Sequence, residues 1–173
     1  MKIFIVAMTM VTGLFARIVV PEYFKADFIQ KVTNPKGKVI TYEGSVRFFG
    51  GKRLKWLYLK PTNKEVCTDG KELIVVDHDL EQVSYYLINK ALDLPKILKH
   101  AKKYQEDIYL AEHQNRRYTI QVDKNGRIES VAYFDDLDNK VQILFKKMQY
   151  GKESLKVADM HCSAPKSYDM IRG

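Results

Sequence analysis

The densest group of side chains that can do chemistry is Asp77-His78-Asp79, a histidine between two carboxylates at the end of an apolar run. Such a triplet binds a metal ion or transfers protons when its three side chains converge. Here it falls between two strand-like segments, where neighbouring side chains point in different directions. Aspartate also favours turns, because its carboxylate accepts backbone hydrogen bonds two residues on. We therefore interpret the triplet as a turn.

Other sequence signatures of catalysis are absent or are explained by a turn. The sequence has no GxSxG, no HExxH and no glycine-rich phosphate loop, and the three remaining histidines stand singly. Asp135-Asp136 and Asp138 follow an aromatic strand-like segment, which predicts a solvated hairpin tip. We expect no enzymatic activity, no metal and no cofactor.

Composition and charge narrow the class further. The 173 residues are 46% apolar and 29% charged, which is typical of one ordinary globular domain. The formal net charge of +8 indicates an acidic partner: nucleic acid, anionic lipid or an acidic protein surface. No basic run is interleaved with aromatic residues, so we expect that nucleic acid is not the partner. We also expect the protein to be a monomer.

The first 16 residues have the pattern of a cleavable signal peptide. Lys2 precedes an apolar segment that begins at Ile3, and Ala16 precedes Arg17. The alternatives are a buried strand or a membrane anchor, but the segment is shorter than the roughly 20 residues that a spanning helix needs. We predict a signal peptide over 1–16 and a single domain over 17–173, exported to the periplasm.

The two cysteines, Cys67 and Cys162, lie far apart in the sequence and match no CxxC motif. In an oxidising compartment such a pair forms either a disulfide or two buried free thiols. The sequence leaves both alternatives open.

Hydrophobic periodicity predicts a helix, about five strands, a second helix and about four more strands. Phe24, Phe28 and Val32 are spaced four apart, which indicates a helix over 22–33. Leu94, Ile97 and Leu98 indicate a second helix over 92–104. The remaining segments alternate with a period of two and are separated by turn signals such as Asp69-Gly70. Both faces of several strands are apolar, so the antiparallel sheet must bury both sides or keep one as a cavity.

Interpreted as strand, turn and strand, the stretch Thr68-Asp69-Gly70-Lys71 through Asp79-Leu80-Glu81-Gln82-Val83 resembles the periplasmic outer-membrane lipoprotein carrier family, LolA. The segment "ADFIQKV" is similar to the family's first helix, and "RIESVAYFDDLDNKVQILF" to its late hairpin. Gly44, Trp56 and Pro61 stand where the family has a glycine, a tryptophan and a proline. The segment "ADMHCSAP" resembles its closing strand, so the likeness covers most of 22–165.

The resemblance implies a mainly β fold with helices: an incomplete, unclosed antiparallel β-barrel covered by an α-helical lid, with an apolar cavity inside. The two predicted helices would form the lid. Hydrophobic core is the alternative for every candidate lining residue. The candidates are Phe24, Phe28, Val32, Val46, Phe48, Leu54, Trp56, Tyr58, Leu94, Ile97 and Leu98.

Two departures from the family concern how the lid is held. The family has an arginine before the proline of a "KRPxxFxW" run, and this arginine fixes the lid; Gly50 and Gly51 occupy those two positions here, with Leu54 at the phenylalanine. The region between Tyr109 and Tyr118 is also short relative to the family.

The implied function is a periplasmic carrier of acylated outer-membrane lipoproteins. The family resemblance implies an inner-membrane ABC release complex of the LolCDE type as donor and a LolB-type outer-membrane receptor as acceptor. One alternative is a lipid-binding or envelope-stress sensor module on the same fold. Another is an enzyme acting on lipids, but the sequence shows no nucleophile–base pair for such an enzyme.

Overall fold

The computed structural model describes residues 18–87, 94–151 and 155–172. The predicted signal peptide lies outside these ranges, as do residues 92–93 of the predicted second helix. Among the described residues, the elements are β1 (Tyr23–Thr33), β2 (Val39–Phe49), β3 (Arg53–Lys60), β4 (Lys64–Thr68), β5 (Glu72–Asp77), β6 (Gln82–Leu87), α1 (Leu94–Lys99), β7 (Lys102–Lys103), β8 (Ile108–His113), β9 (Arg116–Val122), β10 (Ile128–Phe134), β11 (Lys140–Tyr150), a 3₁₀ turn (Val157–Met160) and β12 (Asp169–Arg172).

The twelve strands form one sheet in the order β12-β6-β5-β4-β3-β2-β1-β11-β10-β9-β8-β7. Every neighbouring pair is antiparallel except β12 and β6, which run parallel. Because β12 and β7 stand at opposite ends of this order, the sheet does not close. The predicted mainly β fold with an unclosed antiparallel sheet is confirmed, and β2–β6 and β8–β11 are the five and four predicted strands.

The helix predicted over 22–33 is wrong, because this segment is strand β1 at the centre of the sheet. A spacing of four residues is also a multiple of two, so Phe24, Phe28 and Val32 share one face of a strand as readily as one face of a helix. Ala26 is buried on that face too, which completes the period of two. Pairing with β2 on one side and β11 on the other then fixes the segment as extended.

The second helix is present but shorter than predicted. It covers Leu94–Lys99, and residues 102–103 form the short strand β7 instead of continuing it. Leu94, Ile97 and Leu98 are buried in the same core cluster as side chains of β1, β2, β8 and β9. The predicted pair of lid helices is therefore one short helix among the described residues.

The C-terminal segment also departs from prediction. The stretch 158–165, expected as a closing strand, contains part of the 3₁₀ turn and otherwise irregular backbone. The strand lies further on, at β12, beyond the stretch that resembles the family. No helix among the described residues is both long and apolar enough to cross a membrane.

Candidate functional site: an open groove on the concave face

The sheet is strongly curved, which gives it a concave and a convex face. Trp56 on β3 and Phe145 on β11 are separated by two intervening strands, yet their ring centroids lie 6.2 Å apart. In a flat sheet, strands about 4.8 Å apart would hold these residues about 14 Å from each other. The face that carries both rings is therefore concave.

Part of the concave face is filled. Phe28 packs edge-on against Trp56 and Tyr58, with ring centroids 4.9 and 5.1 Å away. Helix α1 adds Leu94 and Ile97, which are fully buried in the same cluster. This half of the face is a closed hydrophobic core.

Gly44 makes the close approach of Phe28 possible. A Cβ atom at this position would lie 1.9 Å from the backbone oxygen of Leu57 and 2.9 Å from Cε1 of Phe28. The register of β2 against β3 shifts between Glu43 and Gly44, so the strand carries an irregularity at this glycine. Only glycine fits here, which gives a physical reason for the glycine noted in the sequence.

The other part of the concave face is an open groove of about 410 Å³. Strand register explains its lining, because Trp56 pairs with Val66 and Val66 pairs with Val75, so these side chains share one face. A volume of 410 Å³ lies within the range of about 300–1,000 Å³ that is usual for ligand sites. The lining residues are Gln30, Val32, Tyr42, Leu54, Trp56, Tyr58, Thr62, Lys64, Val66, Thr68, Leu73, Val75, Tyr133 and Ile143.

Three of the polar side chains that line the groove, those of Tyr58, Gln30 and Lys64, have partners within the protein. The Tyr58 hydroxyl donates to Oε1 of Gln30 at 3.0 Å, and burial raises the pKa of Tyr58 well above its usual value. Nζ of Lys64 lies 3.0 Å from Oδ2 of Asp77. Burial alone raises the pKa of Asp77, but the hydrogen bonds from Lys64 and the Leu80 N–H outweigh it and hold the pKa below its usual value.

The structure divides the candidate lining residues between groove and core. Val32 and Tyr58 line the groove, and Leu54 and Trp56 line it as well while also belonging to the buried core cluster. The other seven lie in the buried core cluster: Phe24, Phe28, Val46, Phe48, Leu94, Ile97 and Leu98.

Sequence reasoning missed the contribution of β4 and β5 to the groove. Val66 and Val75 stand in short strands whose alternation was visible, but which face of each strand joins Trp56 depends on hairpin register. The Asp69-Gly70 signal located the hairpin but did not set this register, because a two-residue Asp-Gly loop would pair Thr68 with Lys71, whereas Thr68 pairs with Leu73.

The convex face of β3–β5 is closed by the C-terminal segment. A disulfide joins Cys67 on β4 to Cys162, with their Cα atoms 5.8 Å apart. Nζ of Lys55 lies 2.9 Å from Oε2 of Glu65 and donates to the His161 carbonyl at 2.7 Å. The Ser163 N–H donates to the same Glu65 oxygen at 2.9 Å. The segment is thus fixed by a covalent bond and by one buried ion pair.

Glu65 is the one buried charged side chain among the described residues, 7% exposed. Burial alone raises its pKa, but the hydrogen bonds from Lys55 and from the Ser163 N–H outweigh it, so the pKa lies below its usual value. Cys67 and Cys162 lie close enough to Glu65 to suggest a metal site. Both sulfurs are engaged in the disulfide, however, and therefore offer no thiolate.

Asp77-His78-Asp79 forms the predicted turn between β5 and β6. Oδ1 of Asp77 accepts the N–H groups of Asp79 and Leu80, as expected for aspartate in a turn. The side chains diverge: Asp77 reaches Lys64 in the groove, whereas Nε2 of His78 lies 3.5 Å from Glu65 on the convex face. The triplet does not converge on one point.

Gly50 and Gly51, at the family's arginine and proline positions, form the tight turn between β2 and β3, with φ angles of 62° and 72°. They lie at the opposite end of the strands from Thr62, the turn residue that lines the groove. Among the described residues, Arg47, Lys52 and Arg53 make no ion pair.

Residues 21–156 match the family described as "Outer membrane lipoprotein carrier protein LolA". The chain belongs to this family. An outer-membrane lipoprotein carrier protein from Wolinella succinogenes is 31% identical over 126 residues, 73% of each chain. One from Campylobacter jejuni is 26% identical over 171 residues, 99% of each chain.

Among solved structures, a LolA superfamily protein from Nitrosomonas europaea superposes with a TM-score of 0.52, covering 84% of this chain and 93% of that chain, at 9% identity. At this identity the likeness shows the fold alone. It agrees with the unclosed sheet of the LolA family member described here.

Proposed function

We propose that this protein is a periplasmic carrier that binds the acyl chains of lipoproteins in the concave groove and delivers them to the outer membrane. One observation carries the proposal: the groove of about 410 Å³ stays open beside a core that fills the rest of the same face. The names of the relatives as outer-membrane lipoprotein carrier proteins support it.

An acyl chain suits this groove energetically. Each methylene removed from water contributes about 0.8 kcal/mol, so a carrier needs a concave apolar surface and no catalytic group. Val66, Val75 and Leu73 are only half-buried without a ligand, so an acyl chain lying on them removes their remaining exposed surface from water as well. Binding then stabilises both partners through the same apolar contact.

The route follows from the same proposal. The protein is exported by the signal peptide over 1–16, folds as one domain over 17–173 and works as a monomer. It receives cargo from an inner-membrane ABC release complex of the LolCDE type and passes it to an outer-membrane receptor of the LolB type. It needs neither cofactor nor turnover, because cargo binds and leaves unchanged.

Native mass spectrometry of the protein purified from cells co-expressing an outer-membrane lipoprotein tests this proposal. We expect a one-to-one complex with acylated cargo. Val66→Trp fills the groove and should abolish the complex, whereas Thr119→Trp, an exposed position on β9, should retain it. Phospholipid in place of lipoprotein would favour a lipid-binding or sensor module, and deacylated cargo would favour an enzyme.

A further inference from the structure

One end of the sheet carries exposed apolar side chains beside the groove. The connections between β1 and β2, between β3 and β4 and between β10 and β11 all lie at this end, since Thr33 pairs with both Val39 and Lys140. Thr62, in the β3–β4 connection, lines the groove, so the groove reaches this end. We call it the mouth.

Four apolar side chains at the mouth are exposed. Two of them, Val39 on β2 and Phe134 on β10, lie in one row across four adjacent strands. Thr33 and Lys140 stand between them in this row, because each residue pairs with the next. Val39 is 52% exposed and Phe134 is 60% exposed. Ile40 and Leu59 are exposed on the neighbouring parts of β2 and β3. Large apolar side chains exposed together mark a surface that another phase or partner covers.

Lysines surround these side chains. Lys31, Lys36, Lys38, Lys60 and Lys140 are exposed, and among the described residues none of them forms an ion pair. The segment 31–41 contains three of these lysines and no acidic residue. We define the mouth patch as these five lysines with Val39, Ile40, Leu59 and Phe134.

The acidic groups nearby are largely engaged. Asp135 accepts hydrogen bonds from Leu137 N–H and from Asn139, and Asp136 pairs with Arg116. On the other side, Glu43 faces Lys60 across the β2–β3 ladder. Asp138 is the remaining acidic residue of the β10–β11 turn. The segment 31–41 is therefore the sector of the mouth where positive charge stays uncompensated.

We propose that the mouth patch docks on an anionic phospholipid membrane surface. Apolar side chains ringed by lysines suit the boundary between acyl chains and phosphate headgroups, because the long lysine stems let the ammonium groups reach the phosphates while the apolar side chains insert. Positive residues near an anionic bilayer each add to the attraction. Docking at this end of the sheet brings the end of the groove at Thr62 next to the lipid, and it goes beyond the carrier function because it requires no cargo.

Vesicle flotation tests the inference with cargo-free protein, expressed from its complete coding sequence and purified from the periplasmic fraction. The probes are vesicles of phosphatidylethanolamine with phosphatidylglycerol, and vesicles of phosphatidylcholine alone. We expect binding to the first, weakened by salt, and little to the second. Lys36→Glu with Lys38→Glu should weaken binding to the anionic vesicles at least tenfold. Val39→Ser with Phe134→Ser should weaken this binding at low salt and at high salt alike.

The matched control is Lys52→Glu with Lys124→Glu, which changes net charge equally but at exposed turns of the opposite end. We expect it to bind vesicles nearly as the unaltered protein does. Equal loss in both charge-reversal variants would overturn the patch in favour of bulk charge. Absence of any vesicle binding would overturn membrane docking and leave an acidic protein surface as the occupant to test. Binding of an acyl probe in the groove should be unchanged in every variant, so failure here is distinguishable from failure of the carrier proposal.

Discussion

The two faces of strand β4 differ in a way opposite to ordinary expectation. On the concave face, the apolar Val66 is only half-buried, whereas on the convex face the charged Glu65 and the disulfide-bonded Cys67 are buried. A sheet that served stability alone would bury Val66 and leave Glu65 in water. We infer that contacts on the convex face hold these strands in place, and that their concave face remains free to receive a ligand.

Removing the disulfide should have the largest effect on stability and tests whether the convex face acts independently of the groove. We expect Cys67→Ser with Cys162→Ser to lower the free energy of unfolding by about 4 kcal/mol, since the bond closes a loop of 95 residues. Guanidinium denaturation measures the loss, and a reductant should reproduce it in the unaltered protein. Acyl-probe affinity of the folded variant should stay unchanged. A parallel loss of affinity would mean that the two faces are coupled.

Breaking the buried ion pair should have the next largest effect. Lys55→Met leaves the Glu65 carboxylate buried without its cation, which costs about 2–3 kcal/mol of unfolding free energy. The control is Lys147→Met, which removes an exposed pair with Asp27 and should cost less than about 0.5 kcal/mol. Similar losses in the two variants, measured by chemical denaturation, would contradict a special role for the convex cluster.

Two adjacent valines on β5 allow the two faces to be compared in stability and in ligand binding. Val76 is fully buried on the convex side, whereas Val75 lines the groove. We expect Val76→Ala to lower the unfolding free energy by about 2 kcal/mol and Val75→Ala by less than about 1 kcal/mol. Acyl-probe titration should give the reverse order, with only Val75→Ala weakening binding. The same order in both measurements would show that stability and binding are not divided between the faces.

Acid should weaken the convex face through Glu65. Because the folded-state pKa lies below the ordinary 4.5, the stabilisation is present above about pH 4.5 and is lost as pH falls through the folded-state value. Glu65→Gln should remove this part of the pH dependence, which thermal melts between pH 3 and 6 would record. An unchanged pH profile in the variant would assign acid sensitivity to other carboxyl groups, such as Asp77.

Local signals predicted much of the fold correctly. The period of two located β2–β6 and β8–β11, and Asp69-Gly70 marked a turn whose glycine has a φ angle of 97°. These features depend on a few neighbouring residues, so they are readable without the rest of the chain.

The errors arose where long-range pairing decides. A stripe of Phe24, Phe28 and Val32 fits either period, and β11, more than a hundred residues later, helps to make it a strand. The position of β12 depends likewise on the free edge of β6, reached only after the C-terminal segment has crossed the convex face. Neither outcome is encoded in a short window.

For the candidate site, the alternation of residues predicted that apolar side chains such as Trp56 and Tyr58 lie on strands with two apolar faces. Which of these side chains pack in the core and which line a groove depends on the curvature of the sheet and on the segments that cover each face. Alternation fixes the direction of a side chain relative to its own strand. What it meets there depends on strands and segments distant in the sequence.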